Sequence, residues 1–232
     1  MPILTPSKID SIQWAALGKQ KNQPMPGLPT VWAIDLANLD AMPWDVESTL
    51  TAQEKSRRDQ FKVAMDRQRF AVGRAGLRRL LGFYLDIPPQ AVALCDGPFG
   101  KPAVPVRDRE QPVHFNVAHS GDLVLLAFHA SCEIGVDVEQ VSDRQDWGDV
   151  AQRQFAAEQY DAWRLLNAEQ QHRAFFREWT RREAGLKAIG TGFAIEQPVG
   201  WDSQLEFFEL ELPAGYAGAV ALAPRTGMAD ST

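Results

Sequence analysis

The residues with the clearest chemical potential lie in a short, strand-like run at residues 134–139. Asp137 and Glu139 stand two positions apart, and on a strand such side chains point to the same face. The other face carries apolar side chains that we expect in the core: Ile134, Val136 and Val138. Two neighbouring carboxylates repel each other unless a cation neutralises them, and Mg²⁺ does this through oxygen ligands that it often shares with substrate phosphates. The alternative is the exposed polar face of a half-buried hairpin strand.

A third carboxylate lies on an amphipathic helix that the pattern predicts over about residues 170–189. The apolar stripe of this helix is marked by Phe175, Phe176, Trp179 and Leu186. Arg182 and Glu183 occupy places in that stripe where an apolar residue is due, and a charge there is costly unless it is paired or bound to a metal. Lys187 follows Glu183 by one helical turn, on nearly the same face. Three carboxylates beside cations suit a divalent metal that holds a phosphate; the simpler alternative is a structural Glu183–Lys187 ion pair.

Three further groups of residues could bind an anion. His119 and Ser120 follow a predicted strand, where polar side chains can bind phosphate or orient a nucleophile; an ordinary loop histidine is the alternative. Lys101, in Gly100-Lys101-Pro102, stands between two backbone constraints that could hold its ammonium toward an anion. The arginines between residues 57 and 79 suit a small anionic ligand or an acidic partner surface, or else a solvated helix face.

Other common sites lack their motifs in this chain. No G-x-S-x-G elbow surrounds Ser120, so a catalytic serine triad is not the main interpretation. The sequence also has no P-loop, no G-x-G-x-x-G and no Cys/His spacing typical of zinc sites.

Composition and charge restrict the class of protein. The chain has 232 residues, 45% of them hydrophobic and 23% charged, which is ordinary for a folded globular protein. The net charge of −6 argues against wholesale nucleic-acid binding, and there is no run of about 18 apolar residues to predict a membrane span. The N-terminus lacks the basic start and apolar stretch of a signal peptide, and Cys95 and Cys132 do not make a disulfide framework. We therefore expect a cytoplasmic protein that binds neither nucleic acid nor membrane.

The elements that must position these residues alternate irregularly along the chain. We expect a loosely structured arm over residues 1–29 and a disordered, polar tail after Pro224. Strands are predicted over 31–36, 113–117, 123–130, 133–139, 204–212 and 216–223, the third and fourth of them as a hairpin around a short Ser-Cys turn. A short helix is predicted to end at Gln60 and to be capped by Ser48 or by Thr51, which stands in capping-box spacing to Glu54. Longer helices are predicted over about 66–84, 149–166 and 170–189. This mixture favours an α+β fold, and a boundary near residue 118 divides the chain into 1–118 and 119–232.

Taken in order, these segments resemble the surfactin-synthetase-type (Sfp-like) group of 4′-phosphopantetheinyl transferases. The matching motifs are Arg69-Phe70 with Arg74, Gly100-Lys101-Pro102, Phe115-Asn116-x-x-His119-Ser120, Gly135-x-Asp137-x-Glu139 and Trp179-x-x-x-Glu183-Ala184-x-x-Lys187. They cover roughly residues 50–190, and the ordered set is highly specific. Two positions depart from the group's pattern, since Arg182 stands where Lys is usual and Ala118 where Ser is common.

The resemblance implies both an architecture and a reaction. The architecture is a pseudo-dimer of two similar α/β halves in one chain, and therefore a monomer. The reaction is the transfer of the phosphopantetheine arm of coenzyme A to a serine of an apo acyl or peptidyl carrier protein, with adenosine 3′,5′-bisphosphate as the leaving product.

The resemblance also implies roles for individual residues. Asp137, Glu139 and Glu183 would hold Mg²⁺ against the coenzyme A pyrophosphate, where Lys187 would neutralise charge. Glu183, or a metal-bound water that it orients, is the candidate base for the carrier serine. Arg182 keeps the positive charge and can clamp phosphate through two hydrogen bonds, whereas Ala118 removes one hydroxyl contact. The nucleotide end of coenzyme A would be held by Lys55, Arg58, Arg69, Lys101, His119 and Ser120.

Two other functions are compatible with the same residues. A different Mg²⁺-dependent phosphohydrolase or nucleotidyl transferase would process nucleotides without a carrier protein. A carrier-binding module without catalysis would bind a carrier and leave it unmodified, although the intact set Asp137, Glu139, Glu183 and Lys187 argues against it. A gain of mass on a carrier serine is expected only of the transferase.

Overall fold

The computed structural model describes residues 1–8, 24, 27–41, 44–97, 101–105, 113–142, 147–191 and 200–224. Within these ranges the strands are β1 (Ile3–Leu4), β2 (Ser7–Lys8), β3 (Thr30–Asp35), β4 (Cys95–Asp96), β5 (Pro102–Ala103), β6 (His114–Ser120), β7 (Leu123–His129), β8 (Glu133–Gln140), β9 (Glu206–Leu210) and β10 (Tyr216–Ala223). The α-helices are α1 (Val46–Thr49), α2 (Ala52–Asp59), α3 (Ala64–Leu85), α4 (Gly148–Gln154), α5 (Ala157–Arg164) and α6 (Ala168–Ile189). The fold is α+β, as predicted.

The helices α2 and α6 begin at residues whose side chains satisfy free backbone amides. The Thr51 hydroxyl accepts from the Glu54 amide at 3.3 Å, and the Glu54 carboxylate accepts from the Thr51 amide at 3.0 Å, so the predicted capping box of α2 is confirmed. Asn167 and Gln170 cap α6 in the same way. Gly190 ends α6 with a φ of 73°, a left-handed conformation that glycine adopts without strain.

Two four-stranded sheets share one topology in three of their strands. Their strand orders are β2-β3-β7-β6 and β1-β9-β10-β8. In each sheet a first strand, a long helix and two further strands follow one another along the chain: β3, α3, β6 and β7, and then β8, α6, β9 and β10. The last strand of each set lies antiparallel between the other two. The two topological units therefore meet at the short turn between β7 and β8.

The core forms three layers of apolar contact. The helix α3 packs on one face of the first sheet, for example Leu77 near Phe128. The two sheets pack against each other through a second cluster, to which β8 contributes Ile134, Val136 and Val138 as predicted. The helix α6 covers the outer face of the second sheet through Ala184 and Ala188. The strand β8 is thus buried on both faces, with α6 on the face that carries Asp137.

The predicted hairpin between residues 123–130 and 133–139 is wrong. Both strands exist, but β7 pairs with β3 and β6, whereas β8 pairs with β10. The hairpin of this region joins β6 and β7 through a two-residue turn at Gly121-Asp122, with Ser120 opposite Leu123. The strand predicted over 113–117 consequently extends to Ser120, which places His119 and Ser120 on the strand rather than after it.

Two other expectations are corrected. The helix predicted over 149–166 is divided, because Phe155 and Ala156 are extended between α4 and α5. Phe155 there packs its ring against Trp163 and Phe175, at centroid distances of 6.2 and 5.9 Å, and this contact favours the break. The N-terminal arm is partly ordered, since β1 pairs in parallel with β9 and β2 with β3.

Some predictions lie outside the described residues: the arm over residues 9–23, Gly100, and the tail over residues 225–232. Among the helices of the described ranges, none has the length and apolar character needed to cross a membrane.

Candidate functional site

A close approach of α6 to β8 brings the predicted carboxylates together. Gly135 faces α6, and a Cβ atom at this position would overlap the Ala184 carbonyl oxygen and the Ala188 amide nitrogen. The absence of a side chain at Gly135 therefore lets the helix backbone lie directly on the strand. Because side chains alternate along a strand, Asp137 and Glu139 face the same helix.

Lys187 forms an ion pair with Asp137 across this contact. The Lys187 ammonium donates to Asp137 Oδ1 at 2.6 Å and to the Val136 carbonyl at 3.2 Å. Asp137 is 4% exposed, and its second oxygen, Oδ2, has no hydrogen-bond partner among the described residues. The Glu183–Lys187 ion pair, given above as the alternative to a metal site, is not the pair that the structure shows, because Lys187 pairs with Asp137 on the strand instead.

Glu183 adds a second carboxylate that is buried and only partly satisfied. Its Oε1 is buried without a hydrogen-bond partner in the described part of the chain. Burial raises the pKa of Glu183 to about 7, and repulsion from Asp137 and Glu139 adds to the rise, while Lys187 and Arg182 oppose it. Burial likewise raises the pKa of Asp137 to about 6, against the attraction of Lys187. These acidic groups are therefore close enough to repel one another.

The carboxylates of Asp137 and Glu183 are chemically suited to bind a hard divalent cation, but the described side chains are not arranged as a complete metal site. Asp137 Oδ2 and Glu183 Oε1 are buried carboxylate oxygens that lack partners within the described ranges, and such oxygens are the ligands that Mg²⁺ takes in proteins. A cation between them would also remove the repulsion that raises their pKa values. Across the described residues, however, no group of three His, Cys, Asp or Glu side chains is arranged to hold a metal ion.

Ser120 fixes the third carboxylate, Glu139. The Ser120 hydroxyl donates to Glu139 Oε2 at 2.9 Å and accepts from the Gln140 amide at 3.0 Å. Asn116 of β6 makes a similar contact, because its side-chain oxygen accepts from the Val136 amide of β8 at 3.0 Å. Two side chains of β6 therefore hold β8 at two points along the strand. The two sheets are joined here by side chains rather than by a continuous backbone ladder.

Two basic side chains, Arg69 and His119, form what we call the positive edge, which lies beside the carboxylates. Arg69, near the start of α3, donates to the Gly121 carbonyl at 2.9 Å and pairs with Asp66 at 3.1 Å. Partial desolvation lowers the pKa of His119, and the positive charges of Arg69 and Lys187 lower it further. Arg69, His119 and Lys187 therefore share one electrostatic environment, at the end of β6 that also holds Ser120.

Three other predicted residues make contacts away from this edge. Lys55 and Arg58 on α2 both pair with Glu47, and Arg58 also pairs with Asp59. Lys101 places its ammonium against the Lys187 carbonyl at 3.0 Å and the Ile134 carbonyl at 3.1 Å, where the end of α6 meets the start of β8.

Arg182 lies next to Glu183 but points elsewhere. It reaches the Gln154 carbonyl at 3.5 Å and lines a cavity of about 390 Å³. The cavity also contacts Trp179, one helical turn before Glu183, and Trp201.

Sequence reasoning missed two residues that shape the site. Gly135 belongs to the motif Gly135-x-Asp137-x-Glu139, but its role in the close approach of α6 to β8 can be recognised only from the position of the helix in the structure. Tyr216 accepts from the Asp122 amide at 2.9 Å and so holds the turn that bears the Gly121 carbonyl. No local signal marks Tyr216, because its partner is 94 residues away.

The raised pKa of Glu183 predicts how stability depends on pH in the metal-free protein. The folded state binds this proton more tightly than the unfolded chain, whose pKa is near 4.5. The stabilisation is therefore full below pH 4.5 and is lost as the pH rises through about 7. We expect urea denaturation in chelator to show a fall in unfolding free energy on the order of 2 kcal/mol over this window. Glu183→Gln should make this fall shallower, and the part that remains comes from Asp137, whose pKa burial also raises, to about 6. Equal slopes in the two proteins would contradict the burial of Glu183.

Comparison with known proteins gives matches over most of the chain. Residues 133–229 match the model of the 4′-phosphopantetheinyl transferase superfamily, and residues 42–131 match the model of a 4′-phosphopantetheinyl transferase N-terminal region. The 4′-phosphopantetheinyl transferase HetI of Nostoc is 37% identical over 164 residues, which are 71% of this chain and 69% of HetI.

Two further relatives match shorter stretches. A Synechocystis protein named for the same transferase class is 36% identical over 148 residues, which are 64% of this chain and 60% of that protein. The rat L-aminoadipate-semialdehyde dehydrogenase-phosphopantetheinyl transferase is 29% identical over 157 residues, which are 64% of this chain and 50% of the rat protein.

Proposed function

We propose, from the premise that the chain belongs to the 4′-phosphopantetheinyl transferase superfamily, that the contact between β8 and α6 is its active site. As a transferase of this class, the chain moves the phosphopantetheine arm of coenzyme A to a carrier protein. One observation carries the assignment of the site. Two buried carboxylates, Asp137 and Glu183, each have an oxygen without a hydrogen-bond partner in the described part of the chain, and they lie beside the Lys187 ammonium and a positive edge.

The metal in this proposal is Mg²⁺, held by Asp137, Glu139 and Glu183. When bound, it would supply positive charge to the pyrophosphate oxygens during transfer. The chain's own contribution is the arrangement of the ligands. Ser120 fixes Glu139, and Lys187 holds Asp137 through Oδ1, while Oδ2 has no hydrogen-bond partner among the residues that the structure describes.

The proton of the acceptor serine is the second requirement of the reaction. The serine hydroxyl of an acyl or peptidyl carrier would attack the phosphorus that bears the pantetheine arm, and the bond to adenosine 3′,5′-bisphosphate would break. Glu183 is the candidate base, because its carboxylate is buried beside Asp137 and Lys187, at the contact where the reacting phosphate would be held. Lys187 would stabilise the negative charge that develops on the leaving oxygen.

The coenzyme A molecule needs further contacts for its charged and uncharged ends. We assign the phosphates to the positive edge of Arg69 and His119, with Ser120 beside it, and to Lys55 and Arg58 on α2 if these exchange Glu47 for phosphate. Arg182 and its cavity offer a place for the uncharged pantetheine chain, since the cavity combines tryptophan rings with polar groups.

The subgroup of the superfamily and the oligomeric state are also part of the proposal. We place the chain in the surfactin-synthetase-type (Sfp-like) group and expect a monomer of two similar halves. The repeated topology of the two sheets supports this organisation. It favours a junction at the turn between β7 and β8 over the predicted division at residue 118.

Intact-mass spectrometry tests the proposed function. Apo carrier proteins of fatty-acid, polyketide and peptide synthesis are incubated with the chain, coenzyme A and Mg²⁺, beside matched carriers whose acceptor serine is replaced by alanine. We expect a gain of one phosphopantetheine arm on at least one intact carrier, none on its alanine variant and none in chelator. Hydrolysis of coenzyme A without carrier modification would favour a phosphohydrolase, and binding without modification would favour a carrier-binding module.

A further inference from the structure

The Lys101 ammonium is fully occupied by protein acceptors. Its three hydrogens face the Lys187 carbonyl at 3.0 Å, the Ile134 carbonyl at 3.1 Å and the Glu133 carboxylate at 3.4 Å. An ammonium has three donors and no more. The side chain is only 21% exposed, so water does not easily replace these acceptors. A phosphate of coenzyme A could bind Lys101 only after at least one of the three contacts breaks.

Two of these acceptors belong to the elements that build the active site. The Lys187 carbonyl lies in the last turn of α6, where helix carbonyls have no partner within the helix and favour a cation. The Ile134 carbonyl lies at the start of β8. One ammonium therefore ties the end of α6 to the beginning of the strand that carries Asp137. Lys187 is held at both ends, its backbone by Lys101 and its side chain by Asp137.

Glu133 in turn is fixed by a second residue of the first topological unit. His114 of β6 contacts Glu133 Oε1 at 2.9 Å, while Lys101 contacts Oε2. These contacts hold the pKa of Glu133 at about 2, with the His114 hydrogen bond as the largest favourable cause. Glu133 is therefore ionised near neutral pH and available to Lys101.

Resting on the proposed function, we infer that Lys101 is a positioning residue and not a ligand of the coenzyme A nucleotide. Lys101, Glu133 and His114 form a clamp that fastens the last turn of α6 to β8. The clamp fixes the position from which the Lys187 ammonium and the Glu183 carboxylate reach the reacting groups. This assignment differs from the anion-binding role that the Gly-Lys-Pro motif predicts from sequence.

Two coenzyme A substrates separate the two roles in kinetics. The variants are Lys101→Met and Glu133→Gln, each assayed with coenzyme A and with 3′-dephospho-coenzyme A. A positioning role predicts that both variants lower kcat about tenfold with both substrates, and that the ratio of the two KM values stays as in the wild type. The double variant should be little worse than Lys101→Met alone, because both changes release the same contact. Loss of discrimination between the two substrates in Lys101→Met, with Glu133→Gln unaffected, would overturn the inference.

Hydrogen exchange gives a readout that does not depend on transfer. Amides in the last turn of α6, residues 186–190, should exchange about tenfold faster in both variants than in the wild type. Arg173→Gln is the matched control, since it removes an exposed cation of the same helix that pairs with the exposed Glu169 one turn away. Unchanged exchange in Lys101→Met would refute the clamp even if the wild type transfers normally. Faster exchange in a chain that transfers nothing would retain the clamp and reject the proposed function.

Discussion

Asp137→Asn is expected to lower the rate of transfer about 10³-fold while the fold is retained, because the carboxylate is placed for charge and not for packing. Asparagine keeps the shape of the side chain and removes the anion that pairs with Lys187 at 2.6 Å. The Lys187 side chain is 31% exposed, so water can solvate its released charge. The measurement is the initial rate of carrier modification by intact mass, with circular dichroism and thermal unfolding to check the fold.

A second carboxylate of the same sheet provides the matched control. Glu209 lies on β9 and pairs only loosely with Arg177, at 3.5 Å, and both side chains are well exposed. Glu209→Gln should transfer at the wild-type rate. If Asp137→Asn kept near-normal activity, or if it failed to fold, the assignment of Asp137 to the metal site would be wrong.

Gly135→Ala is expected to destabilise the protein by about 3 kcal/mol or more, at the upper end of the usual cost of overpacking. The added methyl group would meet backbone atoms of α6 on two sides and lie 2.9 Å from the Lys187 carbonyl carbon. Backbone of a packed helix cannot rotate away, so α6 must move off β8. Transfer should also fall, because Glu183 and Lys187 move with the helix. Urea denaturation gives the stability change, and the carrier assay gives the rate.

Gly73 offers the matched glycine, because it too lies between a long helix and a sheet. A Cβ there would meet only side-chain atoms, the nearest being Val124 Cγ1 at 3.3 Å. A valine methyl can shift, and alanine also favours the helix by about 1 kcal/mol over glycine. Gly73→Ala should therefore change stability by less than about 1 kcal/mol. Similar losses in both variants would show that the α6–β8 approach is not exceptionally close.

The parts of the fold set by local rules could be predicted from sequence. The alternation along β8 follows from its period of two, and it correctly assigned Val136 to the core and Asp137 to the opposite face. The capping box of Thr51 and Glu54 depends on residues three positions apart, and it was also predictable.

The errors arose where distant segments decide the structure. A short turn before β8 is compatible with a hairpin, but β8 pairs with β10, whose residues lie more than seventy positions further along the chain. The true hairpin had a local signal, the Gly121-Asp122 pair between two apolar runs, which the prediction did not use. No proline or glycine stands at the break at Phe155, and the ring contacts that favour it are made with Trp163 of α5 and Phe175 of α6.

In the candidate site, too, the residue types could be predicted from local sequence, whereas the contacts between distant segments could not. The three carboxylates and Lys187 were predictable as chemically suited residues, since their types and spacing are written in two short segments. Which of them pair was not, because Lys187 pairs with Asp137 across the α6–β8 contact rather than with Glu183 on its own helix. The environment of Lys101 was equally hidden, as its acceptors are 32 to 86 residues away.

Titration of Mn²⁺ followed by electron paramagnetic resonance, with coenzyme A present, tests the central claim most directly. The claim is that Asp137, Glu139 and Glu183 hold a divalent metal at the β8–α6 contact. It predicts a single tight Mn²⁺ site in the wild type and in Glu209→Gln, displaced by Mg²⁺ and lost in Asp137→Asn. Equal Mn²⁺ binding by Asp137→Asn, or no tight site in the wild type, would contradict it.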